Sequence, residues 1–292
     1  MQTLSYWFEA ARFKTLPASI CPVLIGSAWA FSDGLFSDEA MLYSLLFAIL
    51  CQIGTNFAND YLDYKKGSDT PSRLGPRRLV SSGLVKPSHM GMAALFILLA
   101  AFLVGLNLIR FGGPWLLIIG LSSILFAWCY TGGPYPLAYN ALGDIFVIIF
   151  FGIVAVAGTY YVHTLMFSWL ILLNGVACGL FINNLLVINN LRDYHEDLRS
   201  QKNTSIVLFG PDFGVKLYTL ACWFSLGAPI INSLYKSSLM PLIGSIPALI
   251  CLIHINQLKE AQEKDAFELL LKKTGLAVLL YGILLSLGLS LA

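Results

Sequence analysis

The stretch MLYSLLFAILCQIGTNFANDYLDYKKGSD, residues 41 to 69, decides how the chain is to be read. Its first thirteen residues are almost wholly apolar, and the sixteen that follow carry three aspartates and two asparagines. A helix of this composition crosses a bilayer and leaves it with carboxylates at its mouth. The whole chain fits that setting. Of its 292 residues 57% are hydrophobic and only 12% charged, whereas soluble domains carry about 25% charged residues. The net charge of +2 points to no nucleic-acid partner.

Working outward from residue 41, apolar runs of spanning length, roughly 17 to 25 residues each, fall near 16–32, 41–59, 91–109, 114–131, 143–163, 169–189, 217–234, 240–256 and 274–291. The runs are continuous and do not alternate, so the expected fold is an all-α integral membrane protein, about nine transmembrane helices in one bundle, and not a barrel. The first nineteen residues lack the order of a signal peptide and read as an interfacial helix. The stretch 257 to 273 reads as an amphipathic surface connector. Six cysteines in apolar surroundings, without metal-type spacing, read as packing residues. With the N-terminus in the cytoplasm, sixteen of the eighteen Lys and Arg residues lie on the cytoplasmic side, leaving only Arg110 and Lys236 outside.

A second polar exit, VINNLRDYHEDLRSQKNT at 187 to 204, follows the sixth run. Shifted by 130 positions, Asn59 falls on Asn189, Asp63 on Asp193, Asp60 on Asn190 and Gly67 on Asp197. Four spans separate the two exits, so both face one side, and the halves are expected to be parallel repeats of four helices. On continuing helices Asn59 and Asp63, Asn56 and Asp60, and the series Asn189, Asp193, Asp197 each share a face.

Carboxylates converging at the mouth of a bundle repel, by about 4 kcal/mol for two unit charges 4 Å apart at an effective dielectric of 20, so a cation belongs among them. Oxygen ligands with no His or Cys partner favour Mg²⁺ before Ca²⁺. Magnesium keeps positions for phosphate oxygens, which makes a diphosphate the natural bridging ligand. The interleaved cations Lys65, Lys66, Arg73, Arg77, Arg78, Arg192, Arg199 and Lys202 suit it. A solvated loop with topogenic lysines is the bland alternative, but it gives no reason for N-x3-D to recur on matching helix ends. Asp144, after the Gly/Pro-rich loop YTGGPYPLAYNALGD (130–144), is either a helix-start acid or a pocket group.

The segments NDYLDYKKGSD, GPRRLVSSG and NNLRDYHEDLRSQKNT resemble the UbiA superfamily of intramembrane aromatic prenyltransferases. Residues 130 to 162 are similar to the menaquinone-pathway branch, which prenylates 1,4-dihydroxy-2-naphthoate. The resemblance implies transfer of a polyprenyl group from its diphosphate to that acceptor with Mg²⁺ as cofactor, losing CO₂ and diphosphate, in the cytoplasmic membrane among membrane lipid. By position it implies that Asn59, Asp63, Asp193 and Asp197, with Asp60 alongside, hold the metal, and that Arg78 and Lys202 contact diphosphate; Lys65 and Arg192, among the interleaved cations, are expected to join them. Asn56, Asp69, Asn189 and Asn190 are further possible members. Asp60 or Asp193 is expected to orient or deprotonate the acceptor hydroxyl, and Tyr61, Tyr64, Tyr130 or Tyr194 to face the developing allylic cation. Two departures stand out: Gly67 replaces the last aspartate of the first motif, and Gln201 stands where a glycine usually precedes the lysine. Other readings are a prenyltransferase for 4-hydroxybenzoate or homogentisate, and a secondary transporter.

Overall fold

The computed structural model describes residues 2–68, 75 and 77–292, with the side chains of residues 2–4 left aside. Asp69 and Arg73 lie outside the described residues. All described secondary structure is helical apart from one isolated bridge between Asn140 and Asn203. In chain order the helices are α1 (Gln2–Ala11), α2 (Pro17–Ser32), α3 (Asp38–Lys66), α4 (Pro87–Gly112), α5 (Leu116–Cys129), α6 (Gly143–Thr164), α7 (Trp169–Arg192), α8 (Tyr194–Arg199), α9 (Ser205–Phe209), α10 (Pro211–Lys236), α11 (Met240–Glu260) and α12 (Lys264–Ser290).

Every expected apolar run lies on one of these helices, but not all have spanning length. Among the described residues seven are long and apolar enough to cross a bilayer on their own: α3, α4, α6, α7, α10, α11 and α12. An eighth crossing needs α2 together with the segment before it, from which it bends by 50°. The run expected at 114–131 forms α5, which has 14 residues and a length of about 21 Å at 1.5 Å per residue, short of the roughly 30 Å hydrocarbon core. The connector at 257–273 is no separate helix. It is divided between the end of α11 and the start of α12, because the chain turns extended at Ala261.

Local chemistry sets the ends of α3, the helix that carries the first acidic exit. Ser37 caps its start by accepting a bond from the Ala40 amide (3.3 Å); Asp38 and Glu39 occupy the first turn, and Lys65 and Lys66 the last. Both charge placements complement the helix dipole. Elsewhere buried polar pairs tie the helices together. Asn174 of α7 and Asn232 of α10, both fully buried, exchange amide hydrogen bonds of 3.0 and 2.8 Å, the type of link that holds helices where no water competes. Helix α6 passes through a π-helical stretch, Ile148–Val154, where Gly152 meets Gly175 and Gly179 of α7 backbone to backbone. Any side chain at Gly152 would push the two helices apart. The cysteines are all free thiols, four of them buried.

Candidate active site at the polar ends of the helices

Helix α3 ends at the first acidic exit through a left-handed residue. Gly67 has φ +69°, its amide bonds back to the carbonyl of Tyr64, and the Ser68 amide reaches the carbonyl of Asp63 (3.1 Å). This pair of bonds is the Schellman ending, which favours glycine at its left-handed position. The requirement explains why residue 67 is glycine, since an aspartate there would carry the strain of positive φ.

The second exit ends the same way. Gln201 has φ +54°, its amide reaches the Leu198 carbonyl (3.4 Å), and the Lys202 amide bonds to the Asp197 carbonyl (2.9 Å). A left-handed turn without glycine therefore persists at Gln201, and the backbone device repeats with Asp63, Gly67 and Ser68 matching Asp197, Gln201 and Lys202. That register is 134 positions, one helical turn beyond the shift of 130 that aligns the sequences. The second ladder is not one continuous helix: α7 stops at Arg192, and Asp193 sits at φ −90°, ψ 7° before α8 begins. Bonds from the Asp193 amide to the Asn189 carbonyl (2.9 Å) and from the Asp197 amide to the Asp193 carbonyl (2.8 Å) nevertheless keep the i, i+4 spacing across the break.

The carboxylates of both exits are buried, with Asp60, Asp63, Asp193 and Asp197 all under a tenth exposed. Their bonding differs. Asp63 accepts from Arg78 Nη2 (2.9 Å) and from the Tyr139 hydroxyl (2.8 Å). Asp193 receives Arg192 in a two-pronged pair, Nε to Oδ1 at 2.7 Å and Nη2 to Oδ2 at 2.9 Å. Asp197 pairs with Lys202 at 3.4 Å. Arg192 is itself buried, and its Nη1 has no hydrogen-bond partner. Among the described residues no three His, Cys, Asp or Glu side chains stand together as a ready metal cage; cationic side chains lie against the acids instead.

Asp60 faces elsewhere. Its two oxygens accept the backbone amides of Leu79 (3.1 Å) and Val80 (3.2 Å). Those amides open a short turn that closes through Gly83 and Leu84, with Leu79, Val80 and Val85 buried behind it. Asp60 thus anchors the loop that delivers Arg78 to Asp63. On the outer side of the same loop, Arg77 forks onto Glu9 of α1 (3.1 and 2.7 Å), and Glu9 holds the Arg77 pKa above its usual value.

The other expected members are placed as follows. Asn59 accepts a 2.6 Å bond from the Thr131 hydroxyl. Asn56 is drawn into a network with Thr15 and the Ala11 carbonyl, which fastens the N-terminal segment to α3. Asn189 bonds its own helix at Leu185, and Asn190 is buried. Lys65 is exposed and lies over the Tyr61 ring, 4.9 Å from its centroid. Its neighbour Lys66 is the one that approaches the acids, 4.1 Å from the centre of the Tyr139 ring. Asp144 is a buried pocket group that accepts bonds from Asn183 (2.9 Å) and the Ser205 hydroxyl.

Tyr139 is the residue that the sequence reading missed. It joins the two exits: its hydroxyl bonds Asp63 and Ser68 (2.7 Å), and its ring meets both Lys66 and Lys202, the latter 5.7 Å from the centroid. The loop that carries it is pinned to the second exit by the bond from the Ala141 amide to the Asn203 carbonyl (2.8 Å). The only signal in the sequence is that a Gly/Pro-rich loop rich in tyrosine sits between the motifs. Tyr130, at the other end of this loop, is within electrostatic reach of Asp144, Asp63 and Asp197.

Below Tyr130 opens an apolar cavity walled by α2, α3, α4, α5 and α6. Tyr130 and Leu137 border it near the acids, and Ser44, Leu116 and Val162 at the far end. Phe126, Phe146 and Phe150 line its wall, with ring centroids 4.8 to 5.9 Å apart. The acids gather at one end of this space, and the wall beyond them is mostly apolar, with Ser19, Ser44, Gln52, Thr55, Ser123 and Thr159 as its polar members.

Comparison with known proteins agrees with this arrangement. The model of the UbiA prenyltransferase family matches residues 19–288. The chain is 34% identical over 295 residues to the 1,4-dihydroxy-2-naphthoate octaprenyltransferase of Mycobacterium leprae, covering 100% of this chain and 98% of that one. It is 40% identical over 212 residues to the protein of the same name from Escherichia coli, covering 70% and 68%. A UbiA homolog from Archaeoglobus fulgidus, solved bound to DMAPP and Mg²⁺, superposes with a TM-score of 0.63 at 14% identity over 96% of this chain and 99% of its own.

Proposed function

The chain belongs to the UbiA prenyltransferase family, and from that premise we propose that it transfers a polyprenyl group from polyprenyl diphosphate to 1,4-dihydroxy-2-naphthoate, releasing CO₂ and diphosphate and leaving demethylmenaquinol. The observation that carries this reading is the joining of two acidic exits, each with its own cation, at the mouth of an aromatic-lined apolar cavity. Residues 1–292 act as one intramembrane domain in the cytoplasmic membrane, with the site on the cytoplasmic side where the lysines and arginines collect.

The donor set is carboxylate and amide oxygen, which suits Mg²⁺. A metal that binds through one or two carboxylates and completes its shell with substrate phosphate oxygens needs no preformed protein cage. Asp63, Asp193 and Asp197, with Asn59, are the residues that would hold it; when bound, it withdraws charge from the diphosphate oxygens.

The chain's own cations do the rest of the binding. Arg78, Arg192, Lys202 and Lys66 lie at the acids and carry donors that can turn to a diphosphate; the buried Nη1 of Arg192 is such a donor. Fixed positive charge placed before the reaction stabilises the negative charge that develops as the carbon–oxygen bond breaks. The bonding pair leaves with diphosphate, and the allylic cation left behind sits below Tyr130 in a space that excludes water. Aromatic faces there lower its energy by about 1 to 2 kcal/mol each. The electron-rich ring carbon that bears the carboxylate attacks, forming the new carbon–carbon bond, and the electrons of the bond to the carboxylate restore the ring as CO₂ departs. Asp193 is the carboxylate we assign to orienting or deprotonating the acceptor hydroxyl. For Asp60, the loop it anchors is its route to the reaction.

The test is the product. Purified protein given an allylic polyprenyl diphosphate and equimolar 1,4-dihydroxy-2-naphthoate, 4-hydroxybenzoate and homogentisate should form the naphthoquinol product in large excess over the others. A dominant benzoate or homogentisate product would reassign the acceptor, and uptake of solute into vesicles without any prenyl product would return the transporter reading.

A further inference from the structure

A hydrogen-bond chain between the N-terminal segment and α3 has a fixed direction. It starts at two backbone carbonyls, which can only accept. The Asn56 amide donates to the Ala11 carbonyl (2.9 Å), and the Thr15 hydroxyl gives its one proton to the Arg12 carbonyl (2.9 Å). The Thr15 oxygen is therefore an acceptor for its other neighbours, the Asn56 amide (3.0 Å) and the Gln52 amide (2.9 Å). With its NH₂ group turned to Ala11 and Thr15, Asn56 offers its oxygen to Gln52, whose NH₂ group reaches it at 3.4 Å. Both N–H groups of Gln52 are thus spent, and the network itself tells the nitrogen of that side chain from its oxygen.

What is left is Gln52 Oε1, which is buried and has no hydrogen-bond partner, on a residue only 7% exposed. A buried acceptor is costly to leave unmatched. Gln52 lines the cavity, and two other polar members of the wall behave alike. Thr55, one turn on, gives its hydroxyl proton to the Cys51 carbonyl (2.7 Å), and Ser19 of α2 gives its own to the Leu16 carbonyl (3.0 Å). All three side chains have committed their protons, so the α2–α3 wall of the cavity accepts hydrogen bonds. The wall of α5 and α6, with Phe126, Phe146 and Phe150, offers hydrocarbon instead.

The two substrates differ in what they can give such walls. A polyprenyl diphosphate is hydrocarbon with an anionic head, whereas the naphthoate brings two hydroxyl donors. Position agrees with chemistry. Gln52 lies two helical turns down α3 from Asn59, about 10 Å deeper than the acids at 1.5 Å per residue. With the carboxylate-bearing carbon at the reacting end, one hydroxyl adjoins the carboxylate and the other, at ring position 4, points away from the acids. We propose that Gln52 Oε1 accepts the hydrogen bond of this 4-hydroxyl and so makes the site specific for a dihydroxylated naphthoate. The inference rests on the prenyl-transfer reading above. Gln52 takes no part in bond making; Thr15 and Asn56 hold its amide so that the oxygen, not the nitrogen, meets the ligand.

The test is equilibrium binding of 1,4-dihydroxy-2-naphthoate and of 1-hydroxy-2-naphthoate, which lacks that hydroxyl, to purified protein with inorganic diphosphate and Mg²⁺ in place of the donor. Wild type should bind the dihydroxy acid about tenfold more tightly, because the analogue leaves the Gln52 oxygen unmatched. In Gln52→Met, which keeps the chain length and removes the acceptor, the two dissociation constants should come within about twofold of each other. Loosening of the N-terminal segment alone would weaken both acids and keep their ratio at the wild-type value, so an unchanged ratio in the variant would overturn the proposal. Equal binding of the two acids by wild type would overturn it without any variant. Turnover with polyprenyl diphosphate separates the two levels: a wild type that forms no prenylated naphthoquinol overturns the reading beneath, while product formed alongside equal binding overturns the role of Gln52 alone.

Discussion

Replacing Asp60 by asparagine separates two roles that a buried aspartate at this position can have. In the structure its oxygens accept the amides of Leu79 and Val80, and the adjoining Arg78 reaches Asp63 at 2.9 Å. Bonds to a charged acceptor contribute about 1.5 to 3 kcal/mol each. Asparagine keeps one neutral acceptor and turns an NH₂ group toward the other amide, so one bond weakens and the other is lost. The loop is still held by the burial of Leu79, Val80 and Val85, each contributing about 1.5 to 3 kcal/mol; it stays in place on average but opens more often. A net loss of about 2 kcal/mol corresponds to a roughly 30-fold rise in the open fraction. Hydrogen–deuterium exchange should therefore quicken by that order at residues 77 to 86, with the middle of α3 and α4 unchanged. In the assay the KM for polyprenyl diphosphate should rise, because Arg78 is presented less often, while the Mg²⁺ concentration for half-maximal rate stays where it was. Unchanged exchange together with a shifted Mg²⁺ demand would refute the loop argument and make Asp60 a direct ligand.

Two further substitutions test other parts of the site. Tyr139→Phe removes the hydroxyl that bonds Asp63 and Ser68 but keeps the ring near Lys66 and Lys202; we expect turnover to fall by about 10- to 100-fold, the loss of a hydrogen bond to a charged acceptor of roughly 1.5 to 3 kcal/mol, whereas Tyr139→Ala, which also removes the ring beside the lysines, should cost clearly more in kcat/KM. At Gln201, φ +54° carries a left-handed cost of about 1 to 2 kcal/mol that glycine escapes at about 0.5 to 1 kcal/mol of extra chain entropy, so Gln201→Gly should leave stability level or raise it by up to ~1.5 kcal/mol, with activity kept, as read by thermal unfolding in detergent. A marked loss of stability would show that the Gln201 side chain matters more than its backbone.

The bundle was legible in the sequence because apolar length is a local property: each run that reads as a helix is one. The number of independent crossings was less so, since α5 stops at Cys129 and α2 needs its bent partner, and both depend on how neighbours pack. The acidic exits were legible as a pair, and the aspartates Asp63, Asp193 and Asp197 do lie buried with cations beside them. What the spacing could not show is which way each side chain turns. Asp60 and Asp63 are three apart on one helix, yet one serves a loop and the other a guanidinium. Lys65 and Lys66 are adjacent, yet only Lys66 lies over Tyr139. The 130-position register matches residue names, while the backbone endings match at 134, because a left-handed turn can be made by Gly67 or, at a cost, by Gln201. Tyr139 was invisible for a related reason: its importance comes from a loop folding back between two motifs, and no periodicity records that.

The central claim is that the two exits form one diphosphate site, and the most direct measurement is prenyl transfer to 1,4-dihydroxy-2-naphthoate by wild type, Asp63→Asn, Asp193→Asn and the double variant, each with Mg²⁺ and with EDTA. Groups that act as a unit give strongly non-additive losses. The account predicts turnover only with Mg²⁺, a fall of about 10² to 10³ in kcat for each single variant, the scale of removing one preorganised charge contact, and a double variant little worse than either. Metal-independent turnover, or losses in the two exits that simply multiply, would contradict it.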